Sequence, residues 1–445
     1  MNFQALPGRC LAGALALAVT PAFAGMGNIA ASYGLMPGDV ASAQALSLFN
    51  PEVAAVYYNP AALAADPRGE LTLGLTYVDH QVEAQSQGGA MPVNRQGDLL
   101  DIDPSRQTLI GLKTNLSSLT KVEHPLYFGL MLGVEKYGRE MLAFNSGTST
   151  GGQYFRYDRQ PLFLTAGGAT NLWRGIDGGL SFRVTLQSSA SLSGQSDLAG
   201  NTRYEQLDVS AEPKLTPIVG SNINWGRTLC PDQADCALNR WDSALSWRAA
   251  SNTETRVNAN VVIPGTIPSP GLNLAIATID SYQPETVSAG LQYKGDRLRV
   301  GITGEWQRWS RLEGEFQDDT VRDQANLRFK DILIPRLGAE LRVNDTYRLM
   351  AGVAWEESAL ESDRSLDVNY LDNDRYVIGL GASAEFRDPW ILAFPVRLDF
   401  GYQLHLLQTR TFRLTSSQVN SGNPYEALET GGEVHVFMGS MTLKF

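Results

Sequence analysis

The stretch VRLDFGYQLHL, Val396 to Leu406, decides the fold. As an extended chain it puts Val396, Leu398, Phe400, Tyr402, Leu404 and Leu406 on one face, and Arg397, Asp399, Gly401, Gln403 and His405 on the other. Successive side chains of a strand point to opposite sides, so a period of two marks a strand between two different surroundings. The same period runs through ELTLGLTY (70–77), LSFRVTL (180–186), ETVSAGLQY (285–293), LRVGITGEW (298–306) and RYVIGLGASAEF (375–386).

A soluble sandwich also alternates, because it buries one face. Three features favour a membrane barrel. The strands run to about nine residues or more, the length a tilted strand needs to cross a bilayer. Connections alternate between short polar turns (KGDR, VNDT, FRDP) and long Gly/Ser/Asn/Asp-rich loops such as NSGTSTGGQ, the asymmetry of periplasmic turns and extracellular loops. Tyr77, Trp306, Trp309, Trp355 and Trp390 fall near strand ends, where interfacial girdles lie. The last strand, HVFMGSMTLKF, alternates and ends on an aromatic, Phe445, the pattern of an outer-membrane assembly signal.

Composition agrees. The 445 residues carry a net charge of −11 and are 43% hydrophobic, too polar for a bundle of membrane helices but compatible with alternating strands. No basic stripe points to nucleic acid. Arg9, the apolar run CLAGALALAVT and Ala22-Phe23-Ala24 read as an export signal over 1–24, cleaved after Ala24. Cys230 and Cys236, in CPDQADC, then read as a small loop disulfide in an exported chain. Counting strands from a periplasmic start puts that pair on a periplasmic turn, and a count shifted by one strand puts it outside. His80, His124, His405 and His435 show no metal spacing, and no cofactor motif is present. GTSTG, Gly147 to Gly151, matches G-x-S-x-G but lies in a polar loop, without the strand and helix a nucleophile elbow needs.

Residues 25–68 have no period of two. Asp39 is a candidate cap for DVASAQALSLF, and FNPEVAA and YYNPAALA both place Asn before Pro, as N-cap and first helical residue (Asn50–Pro51 and Asn59–Pro60). The expectation is a compact, mostly helical segment.

YYNPAALA resembles the NPA motif in the hatch of the FadL/TodX-type outer-membrane transporters, with Ala62 where that family usually has Gly. YQPETVSAGLQY with GEWQRWSRLEG, RLGAELRVNDTYRLMAGVAWEES, LDNDRYVIGLGASAEF and GGEVHVFMGSMTLKF resemble the family's later strands in order and spacing. The resemblance implies an all-β transmembrane barrel of about fourteen antiparallel strands over 69–445. Residues 25–68 would be its hatch, with Asn59, Pro60 and Ala61 as the hatch motif.

It also implies uptake of hydrophobic molecules across the bacterial outer membrane by passive diffusion. Long-chain fatty acids come first, with aromatic and other hydrocarbons as the alternative, and an outer-membrane lipid-hydrolysing enzyme as the reading from another class. The expected partners are the ligand, outer-membrane lipid and lipopolysaccharide, and the barrel assembly machinery; the chain would be a monomer. Alternation places Tyr127, Met131, Phe163, Met350 and Val377 in the lumen beside Arg183, Arg299, Glu305, Arg397 and His405, and Tyr127, Met131, Phe163, Met350 and Arg397 are the candidate ligand contacts. The resemblance puts an inward kink in the strand near HPLYFGLMLGVEKYG, where Gly129 and Gly133 would permit a bend; the alternative is that both serve plain packing.

Overall fold

The computed structural model describes residues 29–87, 104–119, 121, 124–136, 140–143, 153–155, 162–196, 202–233, 235–263, 267–317, 328–361, 364–365, 372–388, 392–414 and 427–445. The export signal, the GTSTG loop and Trp390 lie outside them.

Fourteen strands form a closed antiparallel barrel. They are β1 (Glu70–Gln87), β2 (Ser105–Asn115), β3 (Leu126–Lys136), β4 (Leu162–Trp173), β5 (Ile176–Ser196), β6 (Thr202–Asn224) and β7 (Trp241–Arg248). There follow β8 (Glu285–Lys294), β9 (Leu298–Arg308), β10 (Ile332–Arg342), β11 (Tyr347–Glu356), β12 (Arg375–Phe386), β13 (Val396–Leu414) and β14 (Ala427–Lys444). Each pairs with the next, and β14 returns to β1 from Glu70↔Lys444 to Gln87↔Ala427. Closure satisfies the edge groups that an open sheet would leave unpaired in hydrocarbon.

An even strand number puts both ends of the barrel on one side, where Gly69 and Phe445 exchange backbone hydrogen bonds of 2.8 and 2.9 Å. That side carries the tight turns, including the two-residue turn between β4 and β5 in which Gly175 adopts a φ of +74°, and it is the periplasmic side. The opposite connections are long. Between β7 and β8 the chain builds an extra hairpin, Ser251–Ile263 with Ile267–Gln283, whose first strand lies parallel to the upper part of β5. From the tip of β5 the chain thus runs through β6, a periplasmic connection and β7 into the first strand of this hairpin. Cys230 and Cys236 are joined by a disulfide in that periplasmic connection, between the helix Trp225–Leu229 and the turn Ala237–Arg240.

Alternation sorts the faces. Leu71, Leu73 and Leu75 of β1, and Leu398 and Phe400 of β13, are exposed on the outside, while Thr72, Thr76, Arg397 and Gln403 are buried inside. Trp306, Trp355 and Tyr376 mark the extracellular edge of the apolar band, and Trp241, Tyr347, Phe394 and Phe445 the periplasmic edge. Trp309 departs from the girdle expected of it. It follows β9 and turns inward, packing on Ile332 and Ala359.

Residues 29–65 lie inside the barrel as short helices: Ile29–Ser32, Pro37–Ala41, Ser47–Phe49, Ala55–Tyr58 and Pro60–Ala65. Asn59 does cap the last of these, its side chain accepting from the Ala61 N–H at 3.3 Å with Pro60 at the first position. Two other expected caps differ. Asp39 sits inside Pro37–Ala41 and accepts from the Met36 N–H at 3.0 Å, so it closes the helix from its third position. Asn50 ends Ser47–Phe49, and the next helix begins only at Ala55. Wall contacts, and not helical propensity, set these lengths.

Candidate functional site

Inward glycines let this segment lie directly on the wall. Pro37 backs Gly401 of β13, Ser42 backs Gly352 of β11, Leu46 backs Gly301 of β9, and Phe49 backs Gly290 of β8. Val53 then meets Gly111 of β2, and Val56 meets Gly129 of β3. At Gly352 the Ser42 backbone fills the space a Cβ would take, so no other residue fits there without shifting the segment.

Gly129 therefore has a use other than the expected bend. A Cβ there would strike Val56, and one at Gly133 would strike Leu109. The strand itself runs unbroken: β3 pairs with β2 from Asn115↔Tyr127 to Arg106↔Lys136, and with β4 from Leu126↔Thr170 to Val134↔Leu162, with no register shift.

Polar side chains fix the segment. The Asn59 amide donates to the Leu48 carbonyl at 2.9 Å and to Asn222 of β6 at 2.7 Å. Gln283 donates to the Tyr57 hydroxyl at 2.6 Å, and the Arg248 guanidinium lies 4.7 Å from the Tyr57 ring centroid. Leu35 N–H donates to the Tyr58 hydroxyl at 3.2 Å. Asp39 accepts from Ser47 at 2.6 Å, and burial pushes its carboxyl up to about 7 against those hydrogen bonds.

The segment separates two chambers. The periplasmic one is lined by Asn50, Glu52, Arg299, Glu340, Met350 and Arg397, with Arg397 held by Glu52 at 2.6 Å and by Asp399 at 2.8 Å. The extracellular one is lined by Arg248, Gln283, Glu305, Trp309, Ile332 and Glu356. Its charges are matched: Arg248 lies 3.1 Å from Glu305, Arg336 lies 3.8 Å from the same carboxylate, and Arg375 pairs with Glu356. Against this polar floor stands an apolar patch of Ala43, Ile332, Ile334, Ala354, Ala359 and Val377. The extracellular chamber is narrow, about 50 Å³, room for a few waters.

All ten side chains expected in the lumen point inward, but they do not form one site. Tyr127, Met131 and Phe163 are packed against Tyr57 and Leu63 in the main core beneath the segment. Met350 and Arg397 line the periplasmic chamber. None of these five lines the extracellular chamber. Of the residues that do, Glu305 was expected in the lumen; the others were missed, although DILIPRL carried a signal. Ile332, Leu333 and Ile334 break the alternation with apolar residues on both faces, as a strand greasy on both sides requires.

A closed barrel with an apolar belt, a lumen filled by an N-terminal segment and ion-paired chambers defines a plugged outer-membrane transport protein. Residues 248–445 match the family described as outer membrane protein transport protein (OMPP1/FadL/TodX). The chain is 49% identical over 431 residues to alkane uptake protein A of Marinobacter nauticus, covering 96% of this chain and 93% of that one. Its fold is similar to that of a Pseudomonas aeruginosa FadL homologue (TM-score 0.63, 16% identity, 92% of this chain and 98% of that one). It is also similar to that of the P. putida toluene transporter TodX (TM-score 0.54, 13% identity, 93% and 99%).

The chain belongs to the FadL/TodX family of outer-membrane transport proteins for hydrophobic compounds. Members of that family are transport channels, so this protein is a transporter and not an enzyme.

Proposed function

We propose that the protein takes up neutral long-chain hydrocarbons, alkanes first, by passive diffusion through the plugged barrel. The observation that carries this reading is the 49% identity to an alkane uptake protein over nearly the whole of both chains. The charge pattern agrees. A fatty acid carboxylate needs a cation, and Arg248, Arg336 and Arg375 at the extracellular chamber already face Glu305 and Glu356. Breaking a buried pair to receive a head group leaves a charge unmatched, a cost of about 3–5 kcal/mol. A hydrocarbon asks for no such exchange, and each CH₂ it removes from water contributes about 0.8 kcal/mol.

Residues 25–68 act as the hatch in this reading, with Asn59, Pro60 and Ala61 as its rigid point against β5 and β6. Long-chain fatty acids are the competing substrate. The test is labelled uptake of hexadecane, oleate and toluene by a host lacking its own transporter and expressing this chain. Uptake of hexadecane above oleate is expected. Uptake of oleate alone would return the fatty acid reading, and uptake of none by a correctly inserted barrel would refute the transport role of this chain.

A further inference from the structure

The extracellular rim of the barrel is notched above β12. The β12–β13 ladder ends at Arg375↔Leu407, with one further backbone bond above it, from the Gln408 N–H to the Asp374 carbonyl at 2.8 Å. On one side of the notch β13 climbs on to Leu414 against β14. On the other, the chain leaving β11 climbs to Leu360, which is bridged to Phe329. A short parallel pair, Arg364–Ser365 with Arg413–Leu414, closes the notch above. Beneath it lies the aromatic edge of the apolar band, where the Trp355 and Tyr376 rings are 4.5 Å apart.

Alternation sets which way the notch faces. Tyr376 is exposed on the outer wall, so Asp374, two residues further up, shares its face. Arg375 between them turns into the extracellular chamber and pairs with Glu356. β13 shifts register between Leu407 and Arg410, and this bulge exposes Gln408 and Thr409 side by side, with Thr409 lying against Gly431 of β14.

The notch holds a polar pocket of about 680 Å³, within the range of small-molecule sites. Lys330 and Glu357 wall it on one side, Gln408, Thr409 and Arg410 on the other, and Asp374 lies at its foot. Hydrogen bonds fix this frame. Arg410 reaches across to the Ser358 hydroxyl at 2.7 Å and to the Leu360 carbonyl at 2.8 Å. Asp374 accepts from the Ser358 N–H at 2.7 Å, and Asn373 donates to the Gln408 carbonyl at 2.7 Å. At the open side Lys330 and Glu357 pair at 2.6 Å, and an exposed pair of this kind gives up its contact at little cost.

We propose that this notch binds the phosphorylated sugar head group of an outer-leaflet glycolipid, lipopolysaccharide. Its height points to a lipid head, because interfacial aromatic side chains sit at head-group level and the pocket lies directly above them on the outer wall. Its chemistry points to a sugar. The Glu357 and Asp374 carboxylates accept from hydroxyls, the Gln408 amide and Thr409 hydroxyl both donate and accept, and Lys330 supplies a cation for a phosphate on the ring. A bare phosphate would meet Glu357, Glu361 and Asp374 against Lys330 and Arg410, so a plain phospholipid head fits less well. The site lies apart from the carried molecule and holds whichever compound the barrel takes up. A glycolipid seated there fixes the height and rotation of the barrel in the outer leaflet.

The test is lipid retention by the intact barrel in detergent, read by native mass spectrometry. Rough-type lipopolysaccharide and phosphatidylglycerol, an anionic lipid without a sugar ring, are added at equal concentration. One retained lipopolysaccharide, several-fold above phosphatidylglycerol, is expected. Thr409→Trp, which fills the pocket, and Lys330→Ala with Glu357→Ala, which strip its open side, should each cut retention several-fold. Arg308→Trp, exposed at the extracellular end of β9, should leave it unchanged. Equal retention in all variants would place the lipid elsewhere and overturn the proposal. Preference for phosphatidylglycerol would overturn the sugar reading, and retention of neither lipid would overturn the site.

A photo-crosslinking benzoylphenylalanine at position 409, with position 308 as control, reads the same contact in whole cells without relying on a tryptophan variant that folds. Capture of lipopolysaccharide at 409 well above 308 is expected. Equal capture at both positions, or none at 409, would refute the notch as its site. Neither readout uses hydrocarbon uptake, so failure of the substrate reading and failure of this site are told apart.

Discussion

Asp39 is a buried carboxyl in a segment held by a few polar contacts, and its titration is expected to make the N-terminal segment sensitive to pH. An unfolded aspartate titrates near 3.9, whereas burial beside Ser47 and the Met36 N–H pushes Asp39 up to about 7. Between these values the ordered segment holds a proton that the loosened segment has lost. The contribution of Asp39 to hatch stability is therefore full below about pH 4, falls as pH rises toward 7 and levels off above it. Hydrogen exchange over residues 36–47, corrected for intrinsic rates, should be slower at pH 5 than at pH 8, and Asp39→Asn should flatten the difference. Equal protection in the native chain at both values would remove Asp39 from the account.

Asn59 shows how far single residues were legible. Its capping bond to Ala61 follows from the Asn-Pro step alone, but its bonds to Leu48 and Asn222 join positions that only the closed barrel brings together. Asp39 and Asn50 were misread for the same reason. Capping rules describe a helix in isolation, and these turns are cut short by the wall.

At the scale of elements, four of the five short helices of the N-terminal segment, from Pro37 onward, meet a strand at a glycine: Gly401, Gly290, Gly129, and Gly179 with Gly220. Adding a side chain at Gly352 would collide with the Ser42 backbone, and overpacking of this kind typically costs about 1–3 kcal/mol. Gly352→Val should therefore leave the barrel folded and loosen residues 37–49, seen as faster proteolysis of the hatch in a barrel that still resists heat in detergent. Unaltered protection would mean that the hatch does not depend on this contact.

The strands were readable because lipid outside and hatch inside differ everywhere, which a period of two records. What those glycines serve was not readable, since a glycine that admits a neighbour and one that permits a bend look the same in a sequence. Gly129, for which both readings stood open, admits Val56. Trp309 was read as a girdle residue from its place after a strand, and its inward turn depends on the loop that follows.

At the scale of the molecule, the closed sheet, the glycine-backed hatch and the paired lumen charges act together. Water and ions meet a packed segment whose Leu35, Met36, Tyr57 and Leu63 side chains are fully buried. An apolar ligand meets a greasy patch of Ile332, Ile334, Ala354 and Val377. The central claim is that this barrel passes hydrophobic molecules while remaining shut to ions. It is tested most directly in proteoliposomes that report, in one sample, the transfer of a fluorescent alkyl probe and the release of an entrapped ion. Protein-dependent transfer of the probe with the ion retained is the predicted result. Ion release that rises with the amount of protein, or probe transfer no faster than in protein-free vesicles, would contradict it.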